Sequence, residues 1–142
     1  MKRIFAIVTL ITTTTLAIPA MAANPAHIKQ LLSTGACAGC DLSGANLSAA
    51  HLLGADLRGA NLQQAILTNA NLEGADLTGA NLRGANLTGA LVTNASLTNA
   101  NLTSVNFSQA QIYHADVAGA VLAKVNLTGA QIHGTDINVG GD

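Results

Sequence analysis

From Cys40 onward the chain keeps a five-residue beat without a gap: a small residue, a polar one, a large apolar one, then two more. In residues 71–90, NLEGADLTGANLRGANLTGA, the apolar position falls at Leu72, Leu77, Leu82 and Leu87, each two places after an Ala. Twenty such pentapeptides follow one another, centred from Leu42 to Ile137. Fourteen centres are Leu, the others being Val92, Phe107, Ile112, Val117, Ile132 and Ile137. The small position is Ala in sixteen, with Cys40, Val105, Val125 and Thr135 as the exceptions. A period of five belongs neither to a helix nor to a strand alone, and its persistence predicts stacked repeats in place of a globular core.

The beat has a local explanation. The small and the large residue are two apart with a polar residue between them, which is strand alternation: in, out, in. The remaining two residues form a corner. Its second residue is Gly or Asn in thirteen of the twenty repeats, Gly59, Asn69, Gly79 and Asn99 among them. Those residues tolerate the positive φ that a type II turn needs at its third position. Three strand residues and a two-residue corner predict one flat side and one bend per repeat.

The pattern, Ala-(Asp/Asn)-Leu-x-x, resembles that of the pentapeptide-repeat family, and the resemblance runs from Gly35 to Asn138. It implies an all-β solenoid, a right-handed, four-sided β-helix with four pentapeptides to a coil. Twenty pentapeptides then make about five coils at the ~4.8 Å spacing of strands, or ~24 Å of stack. Leu57, Leu62, Leu72, Leu77, Leu82, Leu87, Leu97, Leu102 and Phe107 are expected to form the ladder at the axis, with Phe107 its one bulky filler.

The ends differ from the middle. MKRIFAIVTLITTTTLAIPAMA has the basic start, apolar run and Ala20-Met21-Ala22 site of a signal peptide, so residues 1–22 are expected to be removed. The apolar run is short for a membrane span, and no span is expected after cleavage. Residues 23–35 read as a short capping helix: Asn24 suits the N-cap, Pro25 the first turn and Gly35 the exit. Ile28, Leu31 and Leu32 share a face that would cover the first coil. Residues 36–139 are assigned to the β-helix and 140–142 to a tail, so the ring of Leu122, Leu127, Ile132 and Ile137 has no lid. Either the tail folds over that ring, or two copies meet there as a homodimer through the C-terminal coil.

Charge removes some functions. Beyond the signal, four basic residues against seven acids give 4 − 7 = −3, and only Phe107 and Tyr113 are aromatic. Nucleic acid is excluded as a partner: the positive field is missing, and so are the rings on which bases stack. Cys37 and Cys40 both fall at inward positions. In an exported chain they are either a disulfide or two buried thiols acting as small hydrophobes. Asp41 in place of His after Cys40 rules out haem attachment, and two ligands do not make a zinc site. No cofactor is expected.

Positions twenty apart should stack, so the outer faces can be read as columns. One carries Asp56, Asp76, Ser96, Asp116 and Asp136, an acidic ladder with Arg58 beside it. Another gathers His51, Glu73, Tyr113, His114 and His133, the one place where several kinds of acid–base group meet. A flat exterior lacks the pocket that catalysis requires, so an enzyme is not expected. The candidate interaction face carries Ser48, Thr68, Thr88, Ser108 and Thr128 with no charge, either a docking surface or a ladder that pairs strands. The leading reading is a non-catalytic exported scaffold for a protein partner. Its Cys-x-x-Cys start resembles signal-bearing cyanobacterial members of the periplasm and thylakoid lumen. The alternatives are cation or surface binding by the Asp or Ser/Thr ladders, and gyrase protection by DNA mimicry, which export and the mild charge both oppose.

Overall fold

The computed structural model describes residues 23–137. The expected signal peptide (1–22) and tail (140–142) lie outside the described residues. The elements are a helix, α1 (Pro25–Thr34), and two three-residue strands, β1 (Gln111–Tyr113) and β2 (Gln131–His133), paired in parallel. Everything between is a ladder of parallel single-residue bridges. Asp41 pairs with Asn61, Asn61 with Asn81 and Asn81 with Asn101; the other columns keep the same offset of twenty. That offset makes four pentapeptides one circuit.

The sequence predicts a three-residue strand in each repeat, but the structure mostly gives one bridged residue between turns. The cause is visible in the repeat Ala85–Gly89, whose five N–H groups all have partners. Ala85 closes the preceding turn to the Leu82 carbonyl (2.8 Å). Asn86 donates back one coil to Ala65 (2.9 Å), and Leu87 and Gly89 donate forward to Asn106 (2.7 Å) and Ser108 (2.9 Å). Thr88 donates to the Oδ1 of Asn86 (3.0 Å). Only three of the five donors reach a neighbouring coil, so long strands cannot develop, yet no donor is orphaned. The Asn or Asp before the central residue therefore serves as a built-in turn acceptor. His51, Ile66 and Leu91 stand in that position without offering this bond.

Positive φ recurs at the second corner residue. Besides the glycines, Ala49, Gln64, Asn69, Asn94, Asn99, Ser104, Gln109, His114 and Lys124 adopt it, at 53–59°. For a non-glycine this costs about 1–2 kcal/mol, which a forward ladder bond from the same residue offsets at every one of these positions before Lys124.

The interior is continuous. Leu57, Leu62, Leu72, Leu77, Leu82, Leu87, Leu97, Leu102 and Phe107 are fully buried, and the small-slot alanines from Ala55 to Ala110 line the same axis. Cys37 and Cys40 are buried and joined by a disulfide, with their Cα atoms 5.2 Å apart. The bond spans a turn closed by the Cys40 N–H on the Cys37 carbonyl (3.1 Å).

Helix α1 closes the N-terminal end. Asn24 Oδ1 accepts from the Ala26 N–H (3.0 Å), and Gly35 leaves the helix at φ 70°. His27 Nδ1 accepts from the Asp41 N–H (2.9 Å), and Gln30 Nε2 donates to the Ala36 carbonyl (2.8 Å). Leu31 is fully buried and Ile28 partly so, but Leu32 is 56% exposed, contrary to the expected shared face. The His27 anchor rolls the helix until Leu31 points at the axis, which leaves Leu32, about 100° further round, in solvent.

At the other end, Leu122, Leu127 and Ile137 are half-buried and Ile132 is exposed. One corner here is built differently. Ala115 donates to the Thr135 hydroxyl (2.9 Å), which itself donates to the Ile112 carbonyl (3.3 Å). The Thr in a small slot thus inserts its hydroxyl between two groups that elsewhere bond directly.

Candidate interaction surfaces

The uncharged face is built by Asn and Thr acting together. The Thr88 hydroxyl donates to Asn86 Oδ1 (2.6 Å), and Asn106 Nδ2 donates across coils to Thr88 Oγ1 (3.1 Å). Asn126 Nδ2 donates to Asn106 Oδ1 (3.0 Å). Ser48 and Thr128 repeat the local bond, on Asn46 and Asn126, at 2.7 Å each. Thr88 and Ser108 also lie within hydrogen-bond distance, 3.2 Å. Ile66 interrupts the series, so Thr68 has no Asn beside it. Most of the polar capacity of this face is used inside the stack, chiefly in local bonds to the Asn two residues earlier and otherwise in cross-coil pairs. What it presents outward is flat and electrically neutral.

The acidic face is spent in a similar way. Asp56 holds Arg58 in a two-point pair, Nε on Oδ1 (2.8 Å) and Nη2 on Oδ2 (2.7 Å), and Asp76 lies 3.7 Å from the same guanidinium. Asp76 and Asp116 use Oδ1 to accept the N–H of Thr78 (3.0 Å) and Ala118 (2.9 Å). The hydrogen bond from Arg58 is the main cause that lowers the Asp56 carboxyl to about 2. A lowered carboxyl pKa contributes stability above the unfolded value of 3.8, and that contribution is lost as pH falls towards 2. The pair is open to solvent, so the effect is small. Asp56→Asn is expected to lower the melting temperature slightly at pH 7 and to converge with the wild type near pH 2, so that its fall between pH 4 and pH 2 is shallower; thermal melts from pH 7 to pH 2 measure it.

The edge after Ile112 and Ile132 brings Tyr113 opposite His133 in the strand register. The Tyr113 hydroxyl donates to Gln131 Oε1, and the rings of His114 and His133 meet edge-on, 5.6 Å apart. Asp116 and Asp136 line a nearby notch of about 330 Å³ with Gly119 and Gly134. No His–carboxylate hydrogen bond forms among the described residues. Nor, among them, do three His, Cys, Asp or Glu residues gather where one metal ion would touch them all.

The family model "Pentapeptide repeats" matches residues 40–79, 80–117 and 106–138, in eight copies. The chain belongs to the pentapeptide-repeat family. Among solved structures it is similar to HetL from the cyanobacterium Nostoc sp. strain PCC 7120, a protein involved in heterocyst differentiation regulation. They share 33% identity over 67% of this chain and 52% of HetL, with a TM-score of 0.39. The chain thus spans about half the length of HetL. A thylakoid-lumen pentapeptide repeat protein of Arabidopsis thaliana is 30% identical over 75% of this chain and 68% of its own, TM-score 0.42. One from the cyanobacterium Cyanothece 51142 is 28% identical over 78% and 96%, TM-score 0.40. Among curated proteins, none matches the chain.

In this pentapeptide-repeat protein the sequence reading passed over one face. Its columns are Asp41, Asn61, Asn81, Asn101, Val121 and Ser43, Gln63, Arg83, Thr103, Ala123, followed at the corner by Gly44, Gln64, Gly84, Ser104 and Lys124. Asp41 is committed near the helix: Ser43 Oγ (2.8 Å) and Asn61 Nδ2 (3.1 Å) both donate to its Oδ1. The Ser43 hydroxyl is the leading cause that lowers its pKa. Further along, Gln63, Gln64, Arg83, Gly84 and Ser104 line a cleft of about 430 Å³. Writing out this column would have found it, since Arg83 is one of only four lysines and arginines after residue 22.

Proposed function

We propose that this pentapeptide-repeat protein is an exported, non-catalytic scaffold that docks a protein partner along a flat side of its stack. The supporting observation is the ladder itself. Bridges at a constant offset of twenty hold side chains in straight columns, and the uncharged column from Ser48 to Thr128 has already satisfied most of its polar groups. Such a surface suits broad, shape-led contact, the usual mode of repeat solenoids. A right-handed spool of about five coils, working in the periplasm or thylakoid lumen after signal cleavage, completes the reading. The half-buried ring of Leu122, Leu127 and Ile137, with Ile132 and Val121 exposed beside it, supports a homodimer through the C-terminal coil.

The test is capture from the periplasmic or lumenal extract of the host, using the processed protein and its Thr68→Lys/Thr88→Lys/Thr128→Lys variant. A partner held by the first and lost by the second, at unchanged melting temperature, supports docking through this face. Equal capture by both overturns it. Light scattering that shows a monomer at high concentration removes the dimer.

A further inference from the structure

We propose that the cleft at the corner following Leu62, Leu82 and Leu102 is a carboxylate-binding site, with Arg83 as its anchor. The proposal stands independently of the scaffold reading. The cleft exists because the corner column runs Gln64, Gly84, Ser104, and Gly84 places nothing between the two side chains. A Cβ built there would meet only Gln64 Cγ, at an ordinary 3.6 Å. Its φ of +69° belongs to the corner itself and is not a device of the site.

What lines the cleft is a set of donors that the fold leaves unspent. Arg83 uses its backbone N–H on Asn81 Oδ1 (3.2 Å), and Gln63 uses its own on Asn61 Oδ1 (3.3 Å). Among the described residues, the Arg83 guanidinium, the carboxamides of Gln63 and Gln64 and the Ser104 hydroxyl donate to no protein group. The ion pairs among those residues all belong to Arg58, whose charge is committed to Asp56 and Asp76. Arg83 is therefore a cation with an open planar fork, and a fork of that shape matches a carboxylate at two points.

The surroundings favour the same ligand. Asp56, Asp76, Asp116 and Asp136 occupy a different face, and Glu73 lies on the diagonally opposite edge. Asp41, the acid on this face, is two coils away and held by Ser43 and Asn61. Lys124 continues the same corner column two coils further on, so this edge is positive on a chain that is negative overall. A cleft of about 430 Å³ is larger than a bare ion needs and takes a carboxylate with a short skeleton attached. One arginine without an aromatic platform suits a carboxylate better than a phosphate dianion or a stacked sugar ring.

The experiment titrates the ¹⁵N-labelled protein with glutarate, with an acetylated Glu-Glu dipeptide amide, and with sodium chloride as the ionic control. Saturating amide shifts confined to Gln63, Gln64, Arg83, Gly84 and Ser104 are expected with a carboxylate and not with chloride. Tighter binding of glutarate points to a free small acid, and tighter binding of the dipeptide to a carboxylate carried by a polypeptide; both support the site. Arg83→Gln should weaken binding at least about tenfold, the scale of a charge-assisted hydrogen bond. Gly84→Asn should do the same by filling the notch at unchanged melting temperature, because Asn94, followed one coil on by His114 as residue 84 is by Ser104, already occupies the equivalent corner at φ 54°. Shifts that never saturate, match those with chloride, or survive either substitution overturn the proposal.

Discussion

Leu82→Lys is expected to abolish cooperative unfolding of the wild-type kind, leaving a chain with little ordered stack at room temperature. Leu82 is fully buried in the middle of the axis, with Leu62 one coil before it and Leu102 one coil after. A lysine there can neither reach water along its own side nor find an acceptor, because the carbonyls around it are committed to turns and ladder bonds. Leaving a charge buried without a partner costs several kcal/mol, on top of the lost leucine packing. Domains of this size hold only about 5–15 kcal/mol in total. The site also divides the stack, and each coil is stabilised by its two neighbours. Two controls bracket the result: Leu82→Ala should cost about 2–5 kcal/mol, and Leu82→Met under about 1.5 kcal/mol. Urea unfolding followed by circular dichroism reads all three. A Leu82→Lys protein that melts with the wild type would place this side chain outside the core.

Phe107→Ala is the second large effect, about 3–5 kcal/mol. Phe107 is fully buried and is the one aromatic ring in a column otherwise made of Leu47, Leu67, Leu87 and Leu127. Its N–H and carbonyl are both tied, to Asn126 (2.8 Å) and to the Ala110 N–H (3.0 Å). The backbone therefore cannot move inward to close the void that the ring leaves, and the cavity cost is paid in full. The expected signature is a lower urea midpoint at an unchanged slope. Phe107→Leu, which restores the column's usual residue, should lose only part of that amount. Equal stability of the Ala variant and the wild type would mean that the ring is not load on the axis at all.

Most of the fold was legible because each repeat states the same instructions. The alternation of small and large residues marked the axis, and Gly or Asn at the corner marked the turn. Three features were hidden for different reasons. The extent of each strand depends on counting N–H groups, and the Asp or Asn side chain removes one of them from the ladder. The exposure of Leu32 depends on His27 Nδ1 finding the Asp41 N–H fourteen residues away, which helical periodicity cannot foresee. Likewise the hydroxyl of Thr135 replaces a turn bond twenty residues earlier, a role invisible until the coils are stacked. Of the candidate surfaces, the Ser/Thr and Asp columns could be written from the sequence. The self-satisfied state of the first could not, since it needs the angles between neighbouring side chains. Arg83 was legible in principle, because one further column would have shown it standing away from every acid but Asp41.

The constant register also limits how such a gene can change. Removing five residues anywhere inside the ladder would turn everything downstream through a right angle, so that neutral and acidic surfaces no longer ran in line. Removing twenty would simply shorten the shaft and preserve its compass bearings. Length in this molecule is therefore quantised, and whole circuits are the only insertions or losses that leave every side facing the way it did.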